Sequence, residues 1–274
     1  MTKNRTSDVK ALVITGYGLN CEVETEKAFQ EAGASVELVH LNDVINGYHQ
    51  LRDYHILVFM GGFSFGDHLG AGTVFANRIR CRMREHLEGF INDGRLILGI
   101  CNGFQTITRL GLVPSGRENL FQQNTAIAEN AQGVFRDAWV TLRINSDCPC
   151  IFTKGLEYIS LPVRHGEGRF VTDSDKTADF LSRNKLVTMQ YADPATGDPA
   201  MDFPHNPNGS WQAVAGICDP SGRIFGLMPH PEAFISPYNH PDWPRKKGAG
   251  IIPDKGKGQI IFDNAVEFAA TEIL

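Results

Sequence analysis

The chain has 274 residues, 42% of them hydrophobic and 21% charged, which is enough for one α/β domain with a sizeable core. A net charge of −5 leaves no basic excess to neutralise a phosphate backbone and argues against nucleic acid as the main partner. The polar start MTKNRTSDVK has no secretory apolar run, and no stretch nears the roughly 20 apolar residues of a membrane span, so a cytoplasmic protein is expected.

Residues 10–15 are apolar and partly β-branched, a first strand ended by Gly16-Tyr17-Gly18. A helix should follow, with Asn20 as N-cap, Glu22, Glu24 and Glu26 near its positive end and Gly33 at its close. Residues 35–39 read as a second strand. Residues 55–60 read as a buried parallel strand that stops at Gly61-Gly62. From 74 to 91, Phe75, Ile79, Met83, Leu87 and Phe90 recur at helical spacing, and Gly94 closes the segment. Arg78, Arg80, Arg82 and Arg84 alternate along it, share no face and read as solvated surface. Residues 96–100 are another buried strand, running directly into Cys101.

Residues 121–192 read as β-rich, with strands at 139–144, 158–163 and 186–191, and 193–210 as a turn-rich loop. Residues 214–218 and 224–228 flank Asp219-Pro220-Ser221-Gly222 as a hairpin, and its second strand delivers Pro229-His230-Pro231-Glu232. A Pro/Gly-rich loop over 236–258 and a helix over 259–272 end the chain. The alternation of strand and helix predicts a single α/β domain over 1–274, core about 10–235. Its sheet is mostly parallel with helices on both faces, and ligands lie beyond the carboxyl ends of the strands.

Gly99-Ile100-Cys101-Asn102-Gly103 has the pattern Gly-x-nucleophile-x-Gly between a strand and a helix, a nucleophile elbow. The helix start favours a thiolate over a thiol and offers the Asn102 N–H to a developing oxyanion. The Gly61-Gly62-Phe63-Ser64 loop can supply a second donor, expected to be the Gly62 N–H. A thiolate attack needs a base that later protonates the leaving group, and His230 with Glu232 to fix its tautomer fills that need, the two facing one way on an extended stretch. By itself a cysteine after a buried strand is more often a core residue, and Cys21, between Asn20 and an acidic helix start, is read as structural. His165 and Glu167 are either catalytic or, as favoured, contacts to substrate or partner. The six cysteines are too scattered in too large a chain to be a disulfide framework, and Cys148-Pro149-Cys150 lacks the second ligand pair of a zinc site; no metal is assigned.

Four motifs, Gly61-Gly62-Phe63-Ser64-Phe65-Gly66-Asp67, Gly99-Ile100-Cys101-Asn102-Gly103-Phe104-Gln105, His165-Gly166-Glu167-Gly168-Arg169-Phe170 and Met228-Pro229-His230-Pro231-Glu232, together resemble the class I, triad-type glutamine amidotransferases. Within that family the chain looks like the branch of glutaminase subunits of phosphoribosylformylglycinamidine (FGAM) synthase, whose amino-terminal motif Gly18-Leu19-Asn20-Cys21 also resembles. The resemblance implies a flavodoxin-like class I glutamine amidotransferase fold and a Cys101–His230–Glu232 triad. It implies a Gly62/Asn102 oxyanion hole and substrate contacts at Gly61, Ser64, Gln105, His165 and Gly166. It also implies ammonia delivery to a large synthetase subunit that uses ATP and Mg2+, with a small third subunit; no cofactor is expected in this chain, which has no Gly-x-x-x-x-Gly-Lys-Ser/Thr loop. Two departures stand out: Ala233 replaces the family's usual Arg, and residues 234–258 exceed what a minimal subunit requires. The rivals are an amidase or peptidase of another pathway on the same sheet and a catalytically silent regulatory module.

Overall fold

The computed structural model describes residues 5–115 and 119–274; residues 1–4 of the polar start lie outside the described residues. Its main sheet has nine strands. In chain order they are β1 (Lys10–Thr15), β2 (Ser35–His40), β3 (Ile56–Phe59), β4 (Leu96–Ile100), β6 (Arg136–Ile144), β7 (Tyr158–His165), β9 (Val187–Ala192), β10 (Val214–Cys218) and β11 (Ile224–Leu227), while β5 (Thr125–Glu129) pairs with β8 (Glu167–Thr172) in a small antiparallel sheet. The order across the main sheet is β2-β1-β3-β4-β11-β10-β9-β6-β7. Strands β2, β1, β3, β4 and β11 are mutually parallel, and from there only β10 and β6 run against the rest. The sheet is therefore mostly parallel, as expected; of the β-rich middle of the sequence, β6, β7 and β9 extend it with antiparallel pairing, while β5 and β8 form the separate small sheet.

Buried on both faces, β3 and β4 are continuous apolar runs rather than alternating ones. The helices cover them in two layers. α1 (Glu22–Glu31) packs on α8 (Gln259–Phe268), where Phe29 meets Phe262 edge-on at 5.0 Å and Gln259 Nε2 donates to Ala28 O at 2.8 Å. α3 (Thr73–Arg82) packs on α5 (Asn102–Leu110), whose buried Phe104 stacks over Phe170 of β8. Burying a ring of that size contributes on the order of 2–3 kcal/mol. Among the described residues no helix is long and apolar enough to cross a membrane.

Several local expectations change. Cys21, not Asn20, occupies the N-cap of α1, and it caps without a side-chain hydrogen bond. The helix read over 74–91 is two helices, α3 and α4 (Arg84–Asn92), because Met83 leaves helical torsions at φ −133°. Of the arginines there, Arg82 and Arg84 are exposed as expected, Arg84 lying over the Phe121 ring, whereas Arg78 and Arg80 are partly buried: Arg78 donates to Asn42 and lies over the Tyr17 ring, and Arg80 donates to the Arg109 carbonyl. α2 (Leu41–Ile45) and α6 (Asp175–Arg183), the latter capped by Ser174, were not expected from the sequence. The 236–258 loop holds a capping box at Ser236 and the short α7 (Trp243–Gly248), and its end is tied back through Gly256 and Gly258 N–H to Ile235 and Phe234 carbonyls.

Candidate active site

Nucleophile and base come from neighbouring strand ends. β4 and β11 are parallel partners with Ile100 opposite Leu227, and the Cys101 N–H donates to Leu227 O at 2.8 Å. Cys101 then turns the chain sharply into α5 at φ 52°, a left-handed torsion that a cysteine adopts only under strain. The turn is that tight because α5 lies directly on β3: a Cβ at Gly103 would fall 1.7 Å from Phe59 O. Cys101 is 5% exposed, and its Sγ lies 3.7 Å from Arg164 O.

His230 leaves β11 in extended conformation, its N–H donating to Pro162 O of β7 at 2.8 Å. The expected pairing is present, with Nδ1 2.5 Å from Glu232 Oε1, both side chains buried. Its geometric basis differs from the extended stretch inferred from sequence: Glu232 sits in a 3-10 turn, Pro231–Phe234, that folds back toward His230. Burial alone would lower the His230 pKa, yet the charges of Glu232 and Cys101 outweigh it and hold the imidazole well above its ordinary value. Nε2 has no hydrogen-bond partner.

The Gly61-Gly62 loop closes over this pair. A side chain at Gly61 would put its Cβ 2.8 Å from His230 Cε1 and 3.1 Å from Cys21 Sγ. Gly62 bridges Leu19 through the flanking bonds Asn20 N–H to Gly61 O and Phe63 N–H to Gly18 O, so its own N–H points away from residues 18–20. A cavity of about 160 Å3 joins Gly62, Cys101 and His230 with Asn20, Cys21, Phe63, Phe135, Asp137 and Arg164. Of these, Phe135, Asp137 and Arg164 were not expected from the sequence. Asp137 and Arg164 are direct cross-strand partners on β6 and β7, and the only signal was Arg164 preceding the His165 motif.

The remaining expected residues surround the cavity without lining it. Gln105 is buried and its amide is engaged on both sides: Oε1 accepts from Asn102 Nδ2 at 3.0 Å, and Nε2 donates to Glu167 O at 2.5 Å. Asn102 Nδ2 also reaches Asp67 Oδ1 at 3.1 Å; burial first and the Glu167 charge second push that carboxyl up to about 6. His165 is buried with Nδ1 3.1 Å from Asn130 Oδ1, and burial followed by the His230 charge lowers its pKa to about 3, so it is neutral. Gly166 is the turn between β7 and β8, and its carbonyl accepts from Asn130 N–H. Ser64 is buried with its Oγ unbonded.

Cys21 is buried against the His230 ring, its thiol pushed up to about 11, chiefly by burial. Among the described residues Cys21, His230 and Glu232 are the group of metal-competent side chains whose ligand atoms lie within 4.8 Å of one another. His230 and Glu232 are already paired to each other in it.

Residues 8–269 match the family described as CobB/CobQ-like glutamine amidotransferase domain. The chain is 46% identical over 266 residues to phosphoribosylformylglycinamidine synthase subunit PurQ from Methanococcus maripaludis, spanning 94% of this chain and 97% of that one. To the same subunit from Dehalococcoides mccartyi it is 40% identical over 263 residues, 96% of this chain and 98% of that one. Among solved structures it is similar to a chain of PurLQS from Thermotoga maritima, with TM-score 0.68 and 28% identity over 95% of this chain and 99% of that one.

Proposed function

The chain belongs to the glutamine amidotransferase family of the PurQ subunits of phosphoribosylformylglycinamidine synthase, and we propose that it releases ammonia from glutamine with a Cys101–His230–Glu232 triad. The observation that carries the assignment is the buried His230–Glu232 pair, 2.5 Å apart, beside a cysteine on a strained elbow in one small cavity.

Cys101 attacks the side-chain carbonyl of glutamine, and the oxyanion is received by the N–H groups of Gly62 and Asn102. His230, protonated under the charges around it, gives its proton to the departing ammonia. A thioester remains on Cys101. His230, now neutral, takes a proton from water as the water attacks, and glutamate leaves through a second oxyanion. Gly61, Ser64 and Gly166 shape the substrate cavity from just outside its lining, Gly61 against the His230 ring and Gly166 at the β7–β8 turn. Gln105 and His165 act from behind it as positioning residues, bracing α5 and the β7–β8 turn through the bonds that occupy their polar atoms.

The ammonia passes to a large synthetase subunit that converts formylglycinamide ribonucleotide (FGAR) to FGAM with ATP and Mg2+, with a small third subunit in the complex; the likeness to a PurLQS chain supports both partners. One domain spanning 1–274 does this work, in the cytoplasm, where its six free cysteines suit a reducing compartment. Acid quench of the protein with glutamine, followed by peptide mass spectrometry, tests the first step: a glutamyl adduct should be found on the Cys101 peptide. An adduct on another cysteine, or none while glutamate is produced, overturns the assignment.

A further inference from the structure

Glutamine chemistry leaves the Cys148-Pro149-Cys150 motif unused, and the structure gives it a partner. Cys218, the fully buried last residue of β10, places its Sγ 3.4 Å from Cys148 Sγ. Cys148 is partly exposed and, with Cys150, lines a cavity of about 850 Å3 between residues 145–157 and the C-terminal helical segment. Donors converge on its sulfur: the Cys218 S–H, the Thr188 hydroxyl at 3.3 Å and the Cys150 backbone N–H. In that order of importance they hold the Cys148 thiol below its ordinary value, against its burial, while Cys218 is pushed far up, by Cys148 first. The two segments are tied independently by Ile151 N–H to Gly222 O at 3.1 Å and Asn145 N–H to Thr188 O at 3.0 Å. The cysteine trio is not gathered as a metal cage, since among the described residues Cys21, His230 and Glu232 form the group with ligand atoms that close.

We propose that Cys148 and Cys218 are a redox-active thiol pair, separate from the glutaminase site, which a low-molecular-weight disulfide entering the cavity beside residues 145–157 converts into an intramolecular disulfide. The Cys148 thiolate attacks one sulfur of the small disulfide: a mixed disulfide forms on Cys148, the small S–S bond breaks, and the leaving thiolate takes a proton from solvent. Cys218 then gives up its proton and attacks the Cys148 sulfur, forming the Cys148–Cys218 bond and releasing the second small thiol. The two protein thiols are oxidised and one small disulfide is reduced to two thiols. Cys148 is the attacking thiol because it alone of the pair reaches the cavity, and Cys218 is the resolving thiol because it is buried against it.

The test is incubation of the full chain with oxidised glutathione, then non-reducing peptide mapping by mass spectrometry. The wild type should yield a linked Cys148–Cys218 peptide that dithiothreitol reverses. Cys218→Ser should stop at a glutathione adduct on Cys148, Cys148→Ser should leave Cys218 unmodified, and Cys150→Ser should still form the bridge. A Cys148–Cys150 link, a glutathione adduct that persists on Cys148 in the wild type, or no reaction at either residue overturns the proposal. Should a serine variant not fold, as read by thermal melting, the wild-type map decides alone.

Discussion

His230 keeps a proton that its burial would remove, because Glu232 and Cys101 supply negative charge at close range. A histidine raised in this way contributes stability that is complete below its unfolded pKa of about 6.5 and is lost as pH rises through the folded value, which lies well above it. The basic limb of glutaminase kcat therefore belongs well above pH 6.5. Glu232→Gln should move that limb to lower pH and cut kcat by about 10²–10⁴-fold; a pH–rate profile with an unmoved limb would contradict the pairing. Cys21 tests the other thiol of the site. With its pKa up at about 11, it should stay unmarked when iodoacetamide at neutral pH labels Cys101, and equal labelling of the two would count against the division of roles. That Cys101, His230 and Glu232 come together was legible in sequence because an elbow and a His-x-Glu step are local patterns. Asp137 and Arg164 were not, because their meeting depends on the β6–β7 register, which no local pattern states.

At the scale of elements, the strand–elbow–helix unit depends on how closely α5 is seated on β3. Gly103→Ala places a Cβ 1.7 Å from Phe59 O, against backbone that does not yield cheaply, so a loss of about 1–3 kcal/mol or more is expected, read as a lowered melting temperature. Gly61→Ala meets instead the edge of the His230 ring, and should keep the fold while glutamine turnover falls; an active Gly61→Ala protein would mean that the loop does not close over the base as described. The parallel strands were readable from sequence because burial on both faces leaves unbroken apolar runs. The break at Met83 was hidden because Met83 is itself buried and keeps the helical apolar spacing while its torsions do not. α6 escaped because it lies among strands and its nine residues, burying only Thr177 and Leu181, are shorter than the stretch over which helical periodicity is read.

Across the whole molecule, the β7–β8 corner couples the fold's stability to acid. His165 has a folded pKa of about 3 against about 6.5 unfolded, so between those values the unfolded chain binds a proton that the folded one refuses. Stability should therefore fall as pH drops through that window, and His165→Gln should flatten the slope in denaturant titrations; an unchanged slope would mean that His165 is not held neutral. The sequence could place His165 in a motif but not in this buried contact with Asn130, which joins residues 35 apart. Partner docking and ammonia transfer also belong to this scale, and they bear on the central claim that Cys101 feeds a synthetase. The most direct measurement is FGAM synthesis by the reconstituted complex carrying Cys101→Ala. Synthesis from glutamine should vanish while synthesis from added ammonium persists, and glutamine-dependent synthesis that survives the substitution would contradict the account.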